Sequence, residues 1–463
     1  NIILLCTLFI SIATSAQITK KSVLDQLDAQ SEKYGAIAMK IWNLAEMGYL
    51  EEQSSSLLQQ TLSNEGFTIK KGVANIPTAF IAEYGSGLPI IAILGEFDAL
   101  PGLSQQALPE KKSANAEAGH ACGHHLFGTA SSAAAIAVKE WMQNTKQKGT
   151  IRFYGCPAEE GGGAKVYMAR EGLFDDVDIA LHWHPGSQNA ASAAAALANI
   201  SAKFRFYGVS AHAAGAPEKG RSSLDGVEAM NAMVNMMREH VPQEARIHYV
   251  ITDGGKAPNV VPDFAEVYYY SRHYSREVVR SIFNRIVKAG EGAALGTGTT
   301  MKYEIVNGVH ELLPNLTLQK LVHDNLTSIG GITYSPEEKE FADKIALSLG
   351  QKEADIDRAL SIQPYKEEAR AYGSTDVGDV SFVVPTVGFG TATWVPGTSA
   401  HSWQAVAAGG TTIGQKGMMV AAKTLTATAI DLFQNKELIE KATVEFNKRR
   451  GKDFIYKPLL GNR

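Results

Sequence analysis

Apolar side chains recur at helical spacing from Ser22 to Trp42 and again from Glu51 to Glu65, which predicts two amphipathic helices near the start of the chain. The pattern then changes. Pro89 to Leu94 is a continuous apolar run closed by Gly95, as expected of a strand buried on both faces. An Ala-rich stretch from Thr129 to Met142 predicts a closely packed helix, and Thr150 to Cys156, Asp178 to Leu181 and Pro385 to Gly390 predict further strands. A helix over Gln415 to Phe433 closes the series. Strands alternating with helices imply an α/β domain on a mainly parallel sheet, with functional side chains in the loops beyond the strands' carboxyl ends.

The middle of the chain follows a different order. Strands are predicted at Asn199 to Phe206, Arg246 to Thr252, Phe264 to Tyr270 and Thr300 to Val306, with helices at Ser222 to Glu239 and Arg276 to Leu295. That order is β-α-β-β-α-β, the ferredoxin-like unit, inserted into the first domain. The expected division is a signal peptide at 1–16, a first part of the main domain at 17–197, the inserted module at 198–308 and a second part at 309–463. A stripe of Met230, Met233, Met236 and Met237 reads as packing rather than a cofactor box, and residues 334–372 as an elaboration with two helical stretches.

A length of 463 residues fits two domains rather than one core. With 44 basic and 48 acidic residues the formal charge is −4, and no basic run interleaved with aromatics occurs, so no nucleic-acid partner is expected. Ile2 to Ala13 is apolar but short for a bilayer span, and it leads into Thr14-Ser15-Ala16. This predicts a signal peptide cleaved after Ala16, a secreted or periplasmic location and no membrane attachment after cleavage. In an oxidising compartment a disulfide between the remaining Cys122 and Cys156 would compete with metal binding.

Three imidazoles and a thiol fall within His120-Ala121-Cys122-Gly123-His124-His125, in a chain with 12 histidines and 3 cysteines. Such side chains offer lone pairs to a transition metal, and Gly123 permits the turn that aims Cys122 and His124 at one centre. Glu159-Glu160 places two carboxylates after a strand and before three glycines, so one can ligate while the other reaches water. Asp98 is placed to orient a ligand.

GEFDALPG, GHACGHH, CPAEEGG, LHWHP, GVSAHAA, the Pro-Asn-Val-Val-Pro stretch and GTSAHSW, in this order, resemble the zinc- or manganese-dependent amidohydrolases related to aminoacylase and glutamate carboxypeptidase. The resemblance implies a catalytic domain with two divalent ions, zinc or manganese, interrupted by a lid and dimerisation domain. It implies Cys122, His124, Glu160 and His401 as metal ligands, with Cys122 bridging the ions, and Glu159 as general base. Either His184 or His182 completes the set; His184 is favoured because it precedes a proline. His212 matches a residue that reaches the active site of a partner subunit and stabilises the oxyanion. Asn259 and Arg272 match substrate contacts, with Arg272 gripping a carboxylate. The chain departs from many relatives at His125, where they have Asp, and from several at Glu96, where they have His. The expected activity is hydrolysis of the amide bond of small N-acyl amino acids such as p-aminobenzoyl-glutamate, by a homodimer or a heteromer with a related subunit. The alternatives are a dipeptidase or general N-acyl amino acid deacylase, and a non-catalytic binding subunit.

Overall fold

The computed structural model describes residues 19–461, so the expected signal peptide lies outside the described residues. Six strands form the main sheet in the order Thr68–Lys71, Phe80–Ser86, Gly149–Gly155, Ile90–Gly95, Ile179–Leu181 and Thr386–Val387. The last four run parallel. The first two run antiparallel to each other, and Phe80–Ser86 pairs antiparallel with Gly149–Gly155, so the sheet is mixed, with its parallel strands in the majority. The pattern did not mark these two strands, for a physical reason. Thr68–Lys71 is a mostly exposed edge strand ending in two lysines, a composition that blunts edges against aggregation and erases the apolar signal.

All of Ile90–Gly95 is buried, and its side chains alternate between two cores. Ile91 and Ile93 join Phe153 and Leu181 beneath the helices His124–Thr145 and Thr412–Gln434. Ile90, Ala92 and Leu94 join Tyr154 and Ala180 beneath Ala164–Arg170 and Val377–Ser381. Each buried Ile or Leu contributes about 1.5–3 kcal/mol. The helix His124–Thr145 starts earlier than Thr129, the first residue of the Ala-rich run. Gly128 lets it approach the end of the central strand, because a Cβ there would lie 2.7 Å from the Glu96 carbonyl oxygen. That contact seats the helix start against the strand's carboxyl end.

A second sheet, antiparallel throughout, has the order Arg246–Asp253, Phe264–His273, Ala198–Tyr207 and Thr300–Val309. The helices Ser223–Met237 and Arg276–Thr297 share its core with Phe204, Phe206, Val267 and Ile286. Its six elements follow in the order strand, helix, strand, strand, helix, strand. The methionine stripe divides: Met230 and Met237 are buried, Met233 and Met236 exposed. Within 334–372 lie the helices Pro336–Ser348 and Asp357–Leu360. Leu459 packs into the core of the second sheet and Leu460 into a core of the first, so the chain's end bridges the two. Among the described residues, no helix is long and apolar enough to cross a membrane.

One buried pair in this frame sets a pH dependence. Asp379 accepts hydrogen bonds from the His310 backbone N–H at 2.9 Å and the Tyr456 hydroxyl at 2.7 Å, and burial pushes its carboxyl up from 3.8 to about 7. His310, 4.0 Å away, is lowered to about 3, chiefly by burial. A carboxyl whose pKa rises on folding contributes fully below its unfolded value and loses that contribution as pH climbs to its folded value. A histidine held neutral does the reverse, contributing fully above 6.5 and losing it as pH falls toward 3. The two slopes oppose each other between about pH 4 and 6.5. In Asp379→Asn the histidine's slope stands alone, so stability measured by urea unfolding should rise with pH across that window relative to wild type, by up to about 1.4 kcal/mol per pH unit. Parallel profiles for the two proteins would refute the assignment.

Candidate metal centre

The central strand delivers Glu96 and Asp98 to the sheet's carboxyl edge, both about 1% exposed. Facing them, the chain turns from Cys122 into the helix beginning at His124 through Gly123, whose φ is 77° and whose Cβ would strike Pro185 at 2.7 Å. This turn puts the His124 ring between the two carboxylates. Its Nδ1 lies 2.8 Å from Asp98 Oδ1 and its Nε2 3.1 Å from Glu96 Oε2. Asp98 Oδ2 accepts the Glu160 backbone N–H at 2.9 Å, so one carboxylate positions both an imidazole and the acidic turn. Burial alone would lower the pKa of His124, but Asp98, Cys122 and Glu96 together hold it well above the ordinary value.

The other donors arrive from loops, except His184, which opens the short strand His184–Gly186. Cys122 Sγ is 3.5 Å from His184 Nε2, and His184 Nδ1 bonds the Pro185 carbonyl at 2.7 Å, which leaves Nε2 as the lone-pair face. His401 Nε2 sits 3.3 Å from Glu160 Oε2. Ala158 and His401 both have positive φ, 55° and 59°, in a region that residues with a Cβ seldom occupy. Burial, followed by Glu96 and Glu160, drives the Glu159 carboxyl well above its usual range. Burial and then Glu160 raise the Cys122 thiol in the same way.

The cluster has the donor set of a metal site. Three groups, Cys122–His124–His184, Cys122–Glu160–His401 and Glu96–His124–Glu159, each bring one ligand atom per residue to within 4.8 Å of one another. Glu96 Oε2 and His124 Nε2 have only each other, at 3.1 Å, and Glu160 Oε1 is buried without a hydrogen-bond partner. An orphaned carboxylate oxygen beside a thiol and an imidazole whose outer nitrogen meets only a carboxylate is costly unless a cation completes the set, and this mixture of donors suits a divalent transition ion. Cys122 and Cys156 are both free thiols, so no disulfide competes for Cys122.

Seven residues singled out in the sequence therefore meet here: Asp98, Cys122, His124, Glu159, Glu160, His184 and His401. Arg272 lines the same cavity of about 690 Å³ together with Asn199 and Tyr270. Its guanidinium stacks on the Tyr270 ring at 5.1 Å, and its Nε is buried without a partner. His212 and Asn259 are not part of the cluster; they are exposed and adjacent, with the Ala213 N–H bonded to the Asn259 carbonyl. His182 lies outside the three donor groups, in a neighbouring cavity. The remaining imidazoles of the His-rich turn hold backbone instead: His120 Nε2 bonds the Ile41 carbonyl and His125 Nε2 the Gly409 carbonyl, each at 3.0 Å.

Two members of the site carried no local signal. Lys165, fully buried, places Nζ 2.6 Å from Glu96 Oε1 and 2.6 Å from Asp376 Oδ1. In the sequence they look like ordinary surface charges, and only the pairing of Lys165 with Asp376 across the fold reveals them.

Comparison with known proteins follows the same lines. Residues 92–402 match the model of peptidase family M20/M25/M40. One of the subunits of the p-aminobenzoyl-glutamate hydrolase of Escherichia coli is 41% identical over 91% of this chain and 93% of its own length. The mouse Xaa-Arg dipeptidase is 28% identical over 94% of each chain. Among solved structures, an aminobenzoyl-glutamate utilization protein from Klebsiella pneumoniae superposes with a TM-score of 0.61 at 16% identity, covering 90% of this chain and 100% of that one. A dinuclear metal binding peptidase from Bacillus subtilis superposes with a TM-score of 0.58 at 17% identity, covering 89% of this chain and 99% of that one.

Proposed function

Starting from the fact that the chain belongs to peptidase family M20/M25/M40 and is a metal-dependent hydrolase of amide bonds, we propose that it cleaves small N-acyl amino acids of the p-aminobenzoyl-glutamate type. The observation that carries the reading is the convergence of Cys122, His124, Glu160, His184 and His401 around a buried, orphaned carboxylate oxygen, Glu160 Oε1. Those five residues would hold two divalent ions, zinc or manganese, with Cys122 common to two of the donor groups and so suited to bridge. Bound there, the ions supply Lewis acidity that acidifies water and polarises the scissile carbonyl.

The chain's own residues do the rest. Glu159 takes the proton of the attacking water and returns it to the leaving nitrogen, and its raised pKa suits it to both steps. Asp98 fixes the ring of His124. Arg272 binds the carboxylate of the amino-acid half through paired N–H donors. The inserted ferredoxin-like module serves as a lid and subunit contact. Its edge strand Arg246–Asp253 exposes Tyr249, Val250 and Ile251, which suits pairing with an identical or related subunit. A second subunit would lend its own His212 and Asn259, to stabilise the oxyanion and contact substrate. A secreted or periplasmic location rests on the apolar run from Ile2 to Ala13 and the small residues after it.

The 28% identity to a dipeptidase along nearly the whole chain favours cleavage of dipeptides as the second reading. The deciding assay sets p-aminobenzoyl-glutamate against dipeptides ending in arginine, using purified protein whose metal is measured by elemental analysis. About two ions per chain, and cleavage of the first substrate lost on chelation, are expected. Preferred cleavage of the dipeptide would replace the substrate assignment, and protein without metal or activity would overturn the reading.

A further inference from the structure

The chain contains an unusual alanine-rich stretch, Ala190 to Ala196, that the metal centre does not use. Along it Ala190, Ser192, Ala194 and Ala196 alternate onto the wall of a second cavity of about 560 Å³, while Ala191 and Ala193 are buried in the opposite direction. The rest of that wall is largely apolar and includes Phe127, Leu312 and Phe389. Small side chains on one face of an extended segment leave space, and here the space adjoins the reacting centre.

The two cavities meet at His184. Its ring lines both, as do Ala196, Ala371 and Thr375. Phe127 stands edge-on to the His184 ring with centroids 6.1 Å apart, and Glu96, held between His124 and Lys165, closes the inner end. The cavities differ in chemistry. The first holds Arg272, whose Nε is a buried donor without a partner and suits an anionic portion of a ligand, and the Asn199 Oδ1 acceptor, which suits an N–H. The second has no arginine, and its one lysine, Lys366, is exposed. An N-acyl amino acid has the same polarity: an anionic half and, across the amide, an acyl half that carries no required charge.

Resting on the hydrolytic reading above, we infer that the cavity walled by Ala190, Ser192, Ala194 and Phe389 is the acyl pocket, and that it selects flat, uncharged aromatic acyl groups over short or anionic ones. Its volume falls within the usual range for ligand sites and exceeds what an acetyl group would fill. The buried, unpartnered Nε2 of His182 on its wall provides one polar contact for a ring substituent.

The test reads binding rather than turnover. Metal-loaded Glu159→Gln protein is titrated calorimetrically with p-aminobenzoyl-glutamate, N-acetyl-glutamate and N-succinyl-glutamate. The aroyl compound is expected to bind about tenfold or more tightly than either of the others. In Ala194→Phe and Ser192→Phe, each made in the same background and checked for metal content, that preference should fall to about twofold or less, because the ring space is filled. Equal affinity for the three ligands, or a preference that survives in both filled variants, would overturn the assignment. If wild-type protein hydrolyses none of them while the binding preference holds, the hydrolytic reading fails and the pocket stands.

Discussion

The Glu159→Gln protein is expected to bind its metal normally and to lose turnover by about 10²–10⁴-fold, the usual contribution of a positioned general base. The two halves of this expectation separate the roles available to Glu159. Its carboxylate lies in one donor group with Glu96 and His124, so it could be a ligand rather than a base. A ligand replaced by an amide would weaken metal binding, and elemental analysis of the variant would show the loss. A base replaced by an amide leaves the donor set of Cys122, His124, Glu160, His184 and His401 complete and removes only the proton carrier. The geometry favours the second outcome, since Glu160, not Glu159, stands beside the ring of His401 at 3.3 Å and shares a donor group with Cys122. Turnover within a factor of about ten of wild type would remove Glu159 from the chemistry.

The parts of this molecule readable from its sequence are those whose signal is local. Ile90–Gly95 could be read because a strand buried on both faces is apolar at every position. The candidate donors could be read because an α/β sheet puts its chemistry beyond the strands' carboxyl ends, although His184 itself opens the short strand His184–Gly186 and His124 opens a helix. Thr68–Lys71 could not, because an edge strand survives on polar residues. Within the His-rich turn the resemblance marks only Cys122 and His124 as ligands; what His120 and His125 do instead, bonding the Ile41 and Gly409 carbonyls, depends on residues distant in sequence and was not legible. Glu96 was visible as a departure from relatives, but its position against His124 and Lys165 is a product of packing. The acyl cavity could not be anticipated from composition, because alternating alanines read equally well as helix or strand until Ala194 is seen paired with Ala369.

Replacing Lys165 by methionine should destabilise the protein by about 3–5 kcal/mol, more than any ordinary surface-lysine substitution. Lys165 is fully buried, and its ammonium stands between the carboxylates of Glu96 and Asp376, while its backbone N–H donates to Asp376 Oδ2 at 3.0 Å. Burial would lower its pKa, but Asp376 and Glu96 outweigh burial and keep it charged. Methionine fills much the same volume without the charge, leaving two buried carboxylates uncompensated. In metal-free protein, where ligand binding does not mask the loss, the melting temperature should fall by roughly 3–5 °C. Adding Asp376→Asn removes one of the stranded charges and should restore part of the stability. Glu96 then still lacks the partner for Oε1 that holds Oε2 toward His124, so metal affinity should stay weakened in the double variant even where stability returns. A single variant as stable as wild type would mean that Glu96 and Asp376 are protonated in the folded protein. The three side chains would then be a hydrogen-bonded cluster rather than a buried ion triad, and the support of the metal centre would rest on Asp98 alone.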